Sequence, residues 1–251
     1  MYIRTDDAGN VKELIIIGEM PETNGYEIDS IDEDIAKDIL SYKYIDGVFI
    51  ENEDRDVLQD NIVFIREMKI NAMSSICHDN IEKGISINGS HYSLTSNDQI
   101  EMIKLESMIK MNPETPVFYH ADGEKCRLYT ADEFLTISTA ALGWITYNRT
   151  YFNLLKSEIN EMTNAHDIIK INYGVPLNAT NTETLDTVMG NAKDLFEFPV
   201  VTDDIDYESM FKLDPNPLDK WILLTSHHNQ EPITSEEVHN DETENQIPNA
   251  D

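Results

Sequence analysis

The chain has 251 residues, with 48 acidic and 18 basic side chains and a formal net charge of −30 at pH 7. A charge of this size and sign disfavours binding to a phosphate backbone or to an anionic membrane, so we expect no direct nucleic acid partner and no membrane partner. The apolar runs are too short to span a bilayer, the amino terminus does not have the pattern of a secretion signal, and there are only two cysteines. We therefore expect a protein that is made in the cytoplasm and folds without disulfides.

The acidic excess is unevenly distributed. Residues 57–176 carry 15 acidic and 10 basic side chains, whereas residues 177–251 carry 17 and 3. Together with the breaks in composition, this predicts an α+β chain in three parts: a β-rich module over residues 1–53, a module of helices and β-hairpins over residues 54–176, and an irregular acidic extension over residues 177–251.

The first module reads as short strands around one helix. Turn residues at Ala8-Gly9-Asn10 and Asp46-Gly47 separate β-favouring runs, and acidic residues favour the start of a helix at Asp32. The predicted elements are strands at Tyr2–Thr5, Val11–Ile17 and Tyr26–Ile31, a helix at Asp32–Leu40, and strands at Tyr42–Ile45 and Val48–Ile50.

The second module alternates helices with hairpins. Apolar residues recur at helical spacing from Val57 onwards, Gly84 suits a helix end, and Asn88-Gly89 and Asp122-Gly123 are strong signals for two-residue type I′ turns. The predicted elements are a helix at Val57–Lys83, a hairpin over Ile85–Leu94, a helix at Asn97–Met111, a hairpin over Val117–Leu128 and a helix at Ala131–Thr163.

A hairpin followed by a capped helix occurs twice. The second turn follows the first by 34 residues. Thr130 to Glu133 reads as a capping box, and Ser96 to Gln99 reads as a similar cap for the preceding helix. The spacing indicates a repeated unit of hairpin plus helix, although two copies do not make a solenoid.

The last helix of this module has apolar positions that alternate by four and three, as in a coiled coil. One interpretation is a homo-oligomer formed through the helix over Phe134–Met162, with Asn148 fixing the register. The other is a long helix that packs within its own domain, since a bundle uses nearly the same positions. The seam consists of Phe134, Ser138, Ala141, Ile145, Asn148, Phe152, Leu155, Ile159 and Met162.

Ile168 to Tyr173 resembles a short strand, and the composition changes after it. Residues 226–251 contain too few apolar side chains to compensate the entropy of ordering, so we expect them to be disordered or to order on a partner. The preceding part of the extension has aromatic anchors among acids, which favours partner binding. The predicted partner-binding residues are Phe196, Phe198, Phe211 and Trp221.

Few residues indicate chemistry. The chain has no glycine-rich phosphate loop, Gly-x-Ser-x-Gly, His-Glu-x-x-His or Cys-x-x-Cys motif, so we expect no catalytic residues and no cofactor. Cys77, His78, His120 and Cys126 are of the types that bind zinc, but zinc ligands normally come in pairs about two to four residues apart. We therefore predict no metal and two buried structural cysteines.

Two further patterns have ordinary explanations. On a strand, His120, Asp122 and Glu124 would share one face as an acid and base set, but the predicted turn already accounts for Asp122. The acids from Asp203 to Asp206 do not have the loop of an EF-hand, so solvated carboxylates are the simpler interpretation.

The motifs of the second module carry a family resemblance. The stretch from about Asn61 to Pro176 resembles a domain of unknown function that is common in phage and prophage tail-region genes. The matching residues are Asn88-Gly89, Leu94-Thr95-x-x-Asp98-Gln99, Tyr119-His120-Ala121-Asp122-Gly123-Glu124-x-Cys126-Arg127 and Thr150-Tyr151-x-Asn153-x-Leu155-Lys156. The turn at Asp6 to Asn10, together with Gly25 to Ile28 and Tyr42 to Gly47, is similar to the β-module that often precedes this domain.

The resemblance implies a place among phage tail proteins and supplies no catalytic residue. We interpret the chain as a non-enzymatic accessory structural protein of the baseplate or tail-fibre region. Its implied partners are other phage tail proteins, and its implied location is the virion tail after assembly in the bacterial cytoplasm. The alternatives are a chaperone for tail-fibre assembly and, third, an acidic mimic of nucleic acid that inhibits a DNA-binding protein.

Overall fold

The computed structural model describes residues 1–212. Residues 1–52 form one compact unit and residues 53–211 form another. Helices and short strands occur together, so the expected α+β class is confirmed. No helix in this part of the chain has both the length and the apolarity needed to cross a membrane. Trp221 and residues 226–251, for which we predicted partner binding and disorder, lie outside the described residues.

The first unit contains an antiparallel three-stranded sheet, in which the strand over Tyr2–Thr5 lies between those over Val11–Ile15 and Gly25–Glu27, followed by a helix and a hairpin. The Asp32 carboxylate accepts a hydrogen bond from the Asp34 N–H and so caps the helix, as the acidic start predicted. The core consists of Ile3, Val11, Leu14, Ile28 and Ile39. The elements are β1 (Tyr2–Thr5), β2 (Val11–Ile15), β3 (Gly25–Glu27), α1 (Glu33–Lys37), a 3-10 turn (Ile39–Ser41), β4 (Tyr42–Ile45) and β5 (Val48–Glu51).

The described part of the second unit has six helices and two hairpins, and two of the helices precede the first hairpin. They are α2 (Val57–Asp60), α3 (Ile62–Lys83), β6 (Ile85–Ile87), β7 (Ser90–Tyr92), α4 (Ser96–Met111), β8 (Val117–Tyr119), β9 (Arg127–Tyr129), α5 (Ala131–Glu161), α6 (Ala165–Ile168) and α7 (Ala179–Met189), and a 3-10 segment over Gly190–Leu195 follows. The single helix predicted over Val57–Lys83 is interrupted at Asn61. Its side-chain amide donates to the Val57 carbonyl and so competes with the helical backbone.

Two of the three predicted two-residue turns are present. Asp46 and Gly47 have φ values of 52° and 83°, and Asn88 and Gly89 have 52° and 84°, as a type I′ turn requires. At Asp122-Gly123 the predicted hairpin and a turn are present, the turn closed by the Glu124 N–H on the Ala121 carbonyl at 3.0 Å, but the predicted type I′ is wrong. Only Gly123 has a positive φ there, and a longer connection joins β8 to β9.

Both helices that follow a hairpin begin with a capping box. At the start of α5 the Thr130 hydroxyl accepts from the Glu133 N–H, while the Glu133 carboxylate accepts from the Thr130 N–H, as predicted. At the start of α4 the reciprocal pair is Thr95 and Asp98, so the predicted cap was placed one residue too late. Each pair satisfies backbone N–H groups that the first turn of a helix leaves without partners.

Helix α5 packs within its own unit along α3. Six seam residues are buried within the unit: Phe134, Ser138, Ala141, Asn148, Leu155 and Ile159. Of these, Leu155 and Ile159 pack in the cluster with α3, whereas Phe134 and Ala141 pack in the cluster with the two hairpins and α4. The Asn148 amide donates to the Trp144 carbonyl and its side-chain oxygen accepts from the Tyr173 hydroxyl. This is the intramolecular alternative of the two that the spacing allowed. Residues 131–161 therefore use the seam to hold their own core together.

A buried ion pair fastens the carboxyl-terminal segment of the second unit to α3. The side chains of Lys69 and Asp203 are 1% and 8% exposed, and the ammonium of Lys69 donates to the Asp203 carboxylate. The same ammonium donates to the carbonyls of Ile169 and Ile171, each at 3.0 Å. The Asp203 carboxylate also accepts from the Tyr207 hydroxyl at 3.0 Å and, through its other oxygen, from the Ile205 N–H at 3.4 Å, so every charged atom of the pair has polar partners.

Residues 165–211 differ most from the prediction. The strand expected over Ile168–Tyr173 is absent, because α6 and a turn occupy residues 165–171 and only Tyr173 forms a bridge, with Val201. The supposedly irregular extension contains α7, which is capped by the Asn178 side chain. Residues 177–211 lie in the same compact unit as α3 and α5 and contribute Leu185, Met189 and Tyr207 to its core.

Candidate partner-binding groove

A surface groove with a volume of about 560 Å³ lies beside the second half of α5. Tyr147 and Tyr151 of α5 form one side, Leu185 and Asp186 of α7 form another, and residues 174–177 and 193–198 complete it. Tyr147 and Tyr151 are four residues apart, so both project from the same face of the helix. The groove is thus formed between α5 and the stretch of chain from residue 174 to residue 198.

Aromatic rings form the floor. The Tyr147 ring stacks on Phe198 with centroids 5.0 Å apart and on Phe196 with centroids 5.5 Å apart. The Tyr151 ring meets Phe198 edge-on at 4.7 Å. Gly143 allows this close approach, since a Cβ there would lie 3.1 Å from Cζ of Phe196. The two phenylalanines are half-buried and therefore serve both the groove and the core.

A tyrosine hydroxyl holds the loop that forms one wall. The Tyr151 hydroxyl donates to the Val175 carbonyl at 2.7 Å and accepts from the Gly174 N–H at 2.9 Å. Burial raises the pKa of the Tyr151 hydroxyl above its ordinary value, so the group keeps its proton further into the alkaline range than a free tyrosine does. Gly174 has a φ of +96°, and a Cβ at this position would lie 2.7 Å from the Pro199 carbonyl oxygen. Only glycine fits this turn of the wall without strain.

Charged side chains line the rim. Lys193 lies 2.7 Å from the Asp186 carboxylate, and this hydrogen bond, with the charges of Asp186 and Asp194, raises the pKa of Lys193. Asp194 and Glu197 are exposed and make no hydrogen bond or ion pair among residues 1–212. The lining therefore contains three carboxylates and one ammonium, and the ammonium is already paired.

The groove includes two of the four predicted partner-binding residues, Phe196 and Phe198. Phe211 lies elsewhere in the unit, where its ring meets Phe64 at 5.9 Å, and Trp221 is outside the described residues. The sequence analysis missed Tyr147, Asp186 and Lys193. Gly143 in the middle of a long helix was the available signal, since an isolated helical glycine often marks a close approach.

The zinc-type residues do not form a site. Cys77 is buried and its thiol donates to the Asn148 carbonyl at 3.5 Å, whereas Cys126 is exposed, so the prediction of two buried cysteines is wrong for Cys126. His78 lies 3.4 Å from Glu82 on α3, and the His120 ring contacts its neighbouring carbonyl at Ala121. Within residues 1–212, no three His, Cys, Asp or Glu side chains are grouped as metal ligands.

The acid and base set around His120 is instead used for internal contacts. The Asp122 carboxylate accepts from the N–H and the hydroxyl of Ser93, each at 3.0 Å, and its own N–H donates to the His91 carbonyl. Glu124 accepts from the Ser90 hydroxyl at 2.9 Å. These bonds join the loop between β8 and β9 to the β6–β7 hairpin and to Ser93, which follows it.

Comparisons with protein-family models, with curated proteins and with solved structures gave no significant match.

Proposed function

We propose that the chain is a non-enzymatic accessory structural protein of a bacteriophage tail, in the baseplate or tail-fibre region. It would reach the virion tail after assembly in the bacterial cytoplasm, and its partners would be other phage tail proteins. The resemblance of residues 61–176 to a tail-region domain motivates this proposal. The proposal is supported by the contacts of the residues that carry this resemblance, several of which pair with other parts of the same unit.

The observation that carries the proposal is the internal use of the most distinctive motif, Tyr119 to Arg127. Asp122 and Glu124 bind serines of the first hairpin, and the Arg127 guanidinium lies 3.5 Å from the centroid of the Tyr129 ring. Tyr119 is buried against Tyr92 and Phe134. Three charged groups of the motif, those of Asp122, Glu124 and Arg127, thus serve internal contacts, as is expected of a structural component.

The groove beside α5 supplies a surface for such a role. Its aromatic floor is only half-buried, and further apolar side chains in the same segment are exposed, among them Leu195 at 78% and Val200 at 59%. Aromatic side chains with an exposed face are common anchors at protein interfaces. We therefore take the groove as the place where a neighbouring tail protein binds.

Quantitative mass spectrometry of purified phage particles tests the proposal. We expect the chain at a constant ratio to known tail proteins. When tails are separated from capsids, the chain should be found with the tails and be absent from the capsids. Absence from particles, with recovery of the chain on unassembled tail-fibre protein, would instead indicate an assembly chaperone. Absence from particles and from tail-protein complexes would refute a tail function.

A further inference from the structure

We infer that the groove binds a lysine- or arginine-bearing apolar segment of its partner. This inference rests on the proposed function as a component that contacts other proteins, and it adds the chemistry of the partner. Three features of the groove support it: the floor, the rim and the charge of the rest of the chain.

The floor favours apolar and cationic groups. The centroid of the Tyr147 ring lies 5.5 Å from that of Phe196 and 5.0 Å from that of Phe198. Apolar side chains gain by leaving water on such a surface. The face of an aromatic ring also attracts an ammonium or a guanidinium. A segment with both kinds of side chain uses the floor better than a purely apolar one.

The rim adds a preference for positive charge. Lys193 pairs with Asp186 at 2.7 Å, and the lining holds three carboxylates, those of Asp186, Asp194 and Glu197, against this one ammonium. A cation at the floor therefore meets a rim with an excess of negative charge, whereas an acidic segment meets repulsion. The net charge of −30 acts in the same direction over a longer range, because it attracts basic partners and steers their approach.

The same charges argue against two other occupants. Residues 213–251 of this chain contain nine acidic residues and one lysine, so their net charge is negative, like that of the rim, and the rim repels them. A second copy of the chain brings a net charge of −30 to a rim of the same sign. Both remain measurable outcomes, since either would occupy the groove without an added peptide.

The experiment measures the binding of labelled peptides to the full chain by fluorescence anisotropy. The probe is a twelve-residue peptide with three lysines and three leucines in a glycine-serine frame. One comparison peptide has glutamates for the lysines, and another has serines for the leucines. We expect the first peptide to bind and both comparison peptides to bind at least about tenfold more weakly, because each lacks one of the two recognised features.

Two matched double variants locate the site. Asp194→Asn with Glu197→Gln removes two of the rim carboxylates and should weaken the lysine-leucine peptide by about three- to tenfold. Glu101→Gln with Glu114→Gln removes the same charge from exposed positions that do not line the groove, and should change binding by less than about twofold. All four positions are exposed, so both variants should fold.

Four results would overturn the inference. Equal losses in the two double variants would show that the peptide binds the acidic surface at large. Equal binding of the serine peptide would remove the role of the aromatic floor. A chain that is dimeric in light scattering, and monomeric only in the Asp194 and Glu197 variant, would assign the groove to a second copy. If peptides fail to bind while the chain is present in particles, this inference fails and the proposed function stands.

Discussion

The buried ion pair of Lys69 and Asp203 offers the sharpest test of how the second unit is held together. Asp203→Asn keeps the shape of the side chain but removes its charge. The Lys69 ammonium, 1% exposed, would then be left with two carbonyls and an amide oxygen. A buried charge that loses its counter-charge costs about 3–5 kcal/mol of unfolding free energy. For a unit of this size, the midpoint of thermal unfolding should fall by roughly 6–20 °C.

The assay is urea unfolding followed by the fluorescence of Trp144. Trp144 is buried in the second unit, and its indole N–H donates to the Asn80 carbonyl at 2.9 Å. A Trp221→Phe background makes it the only tryptophan. Asp204→Asn is the matched control, since Asp204 is the exposed neighbour and its loss should cost less than about 0.5 kcal/mol. A midpoint in Asp203→Asn within error of that control would refute the reasoning.

A double-mutant cycle separates the pair from its parts. Lys69→Met alone leaves the Asp203 carboxylate buried with the Tyr207 hydroxyl, so it should also be strongly destabilising. The combined variant leaves neither charge. It should therefore be more stable than the sum of the two single losses predicts, by at least about 1 kcal/mol. Additive losses would mean that water or another group already screens the pair.

Three further predictions concern the backbone, pH and the extension. Gly84→Ala should lower the unfolding free energy by at least about 2 kcal/mol more than Gly89→Ala, since both have positive φ but only at Gly84 would a Cβ meet a carbonyl oxygen, that of Tyr92 at 1.9 Å, as urea unfolding will measure. Burial and, after it, the hydrogen bond with the Tyr129 hydroxyl raise the pKa of Tyr92 to about 12. The stability that the protonated Tyr92 contributes is complete below about pH 10 and is lost as the pH rises to about 12. Tyr92→Phe should therefore flatten the fall of the unfolding free energy between these pH values, as urea unfolding at a series of pH values will measure. Deleting residues 177–251 should abolish the cooperative unfolding of the helical unit seen by circular dichroism, whereas deleting residues 213–251 should preserve it; a cooperative transition in the longer deletion would contradict the core role of the extension.

Local signals in the sequence predicted the local structure well. A capping box or a type I′ turn involves residues within a few positions of one another, so the pairs at Thr130 and Glu133 and at Asn88 and Gly89 could be recognised directly. Local signals were misleading at Asp122. Its residue type fits a type I′ turn, but the turn there is of another type and the carboxylate bonds to Ser93, a tertiary contact that no local pattern reports.

The helical spacing of α5 predicted which residues are buried without predicting what buries them. A seam such as that of Asn148 and Leu155 packs equally well on a second chain or on a neighbouring helix of the same chain. What distinguishes the two is the set of partners, and here Asn148 is satisfied by Trp144 and Tyr173 of its own unit. A buried asparagine with intramolecular partners does not need a second copy to compensate its burial.

The extension shows why acidic composition alone is a poor guide to order. Acids in residues 177–211 suggested a segment that needs a partner, yet one of them, Asp203, is the counter-charge of a buried lysine, and the aromatic rings of Phe196 and Phe198 pack on α5. The few apolar groups of this segment are sufficient because α3 and α5 already supply most of the core. The remaining acids, Asp194 and Glu197, stay exposed at the rim of the groove. One segment thus completes the fold with its buried side chains and leaves its exposed charges available to a partner.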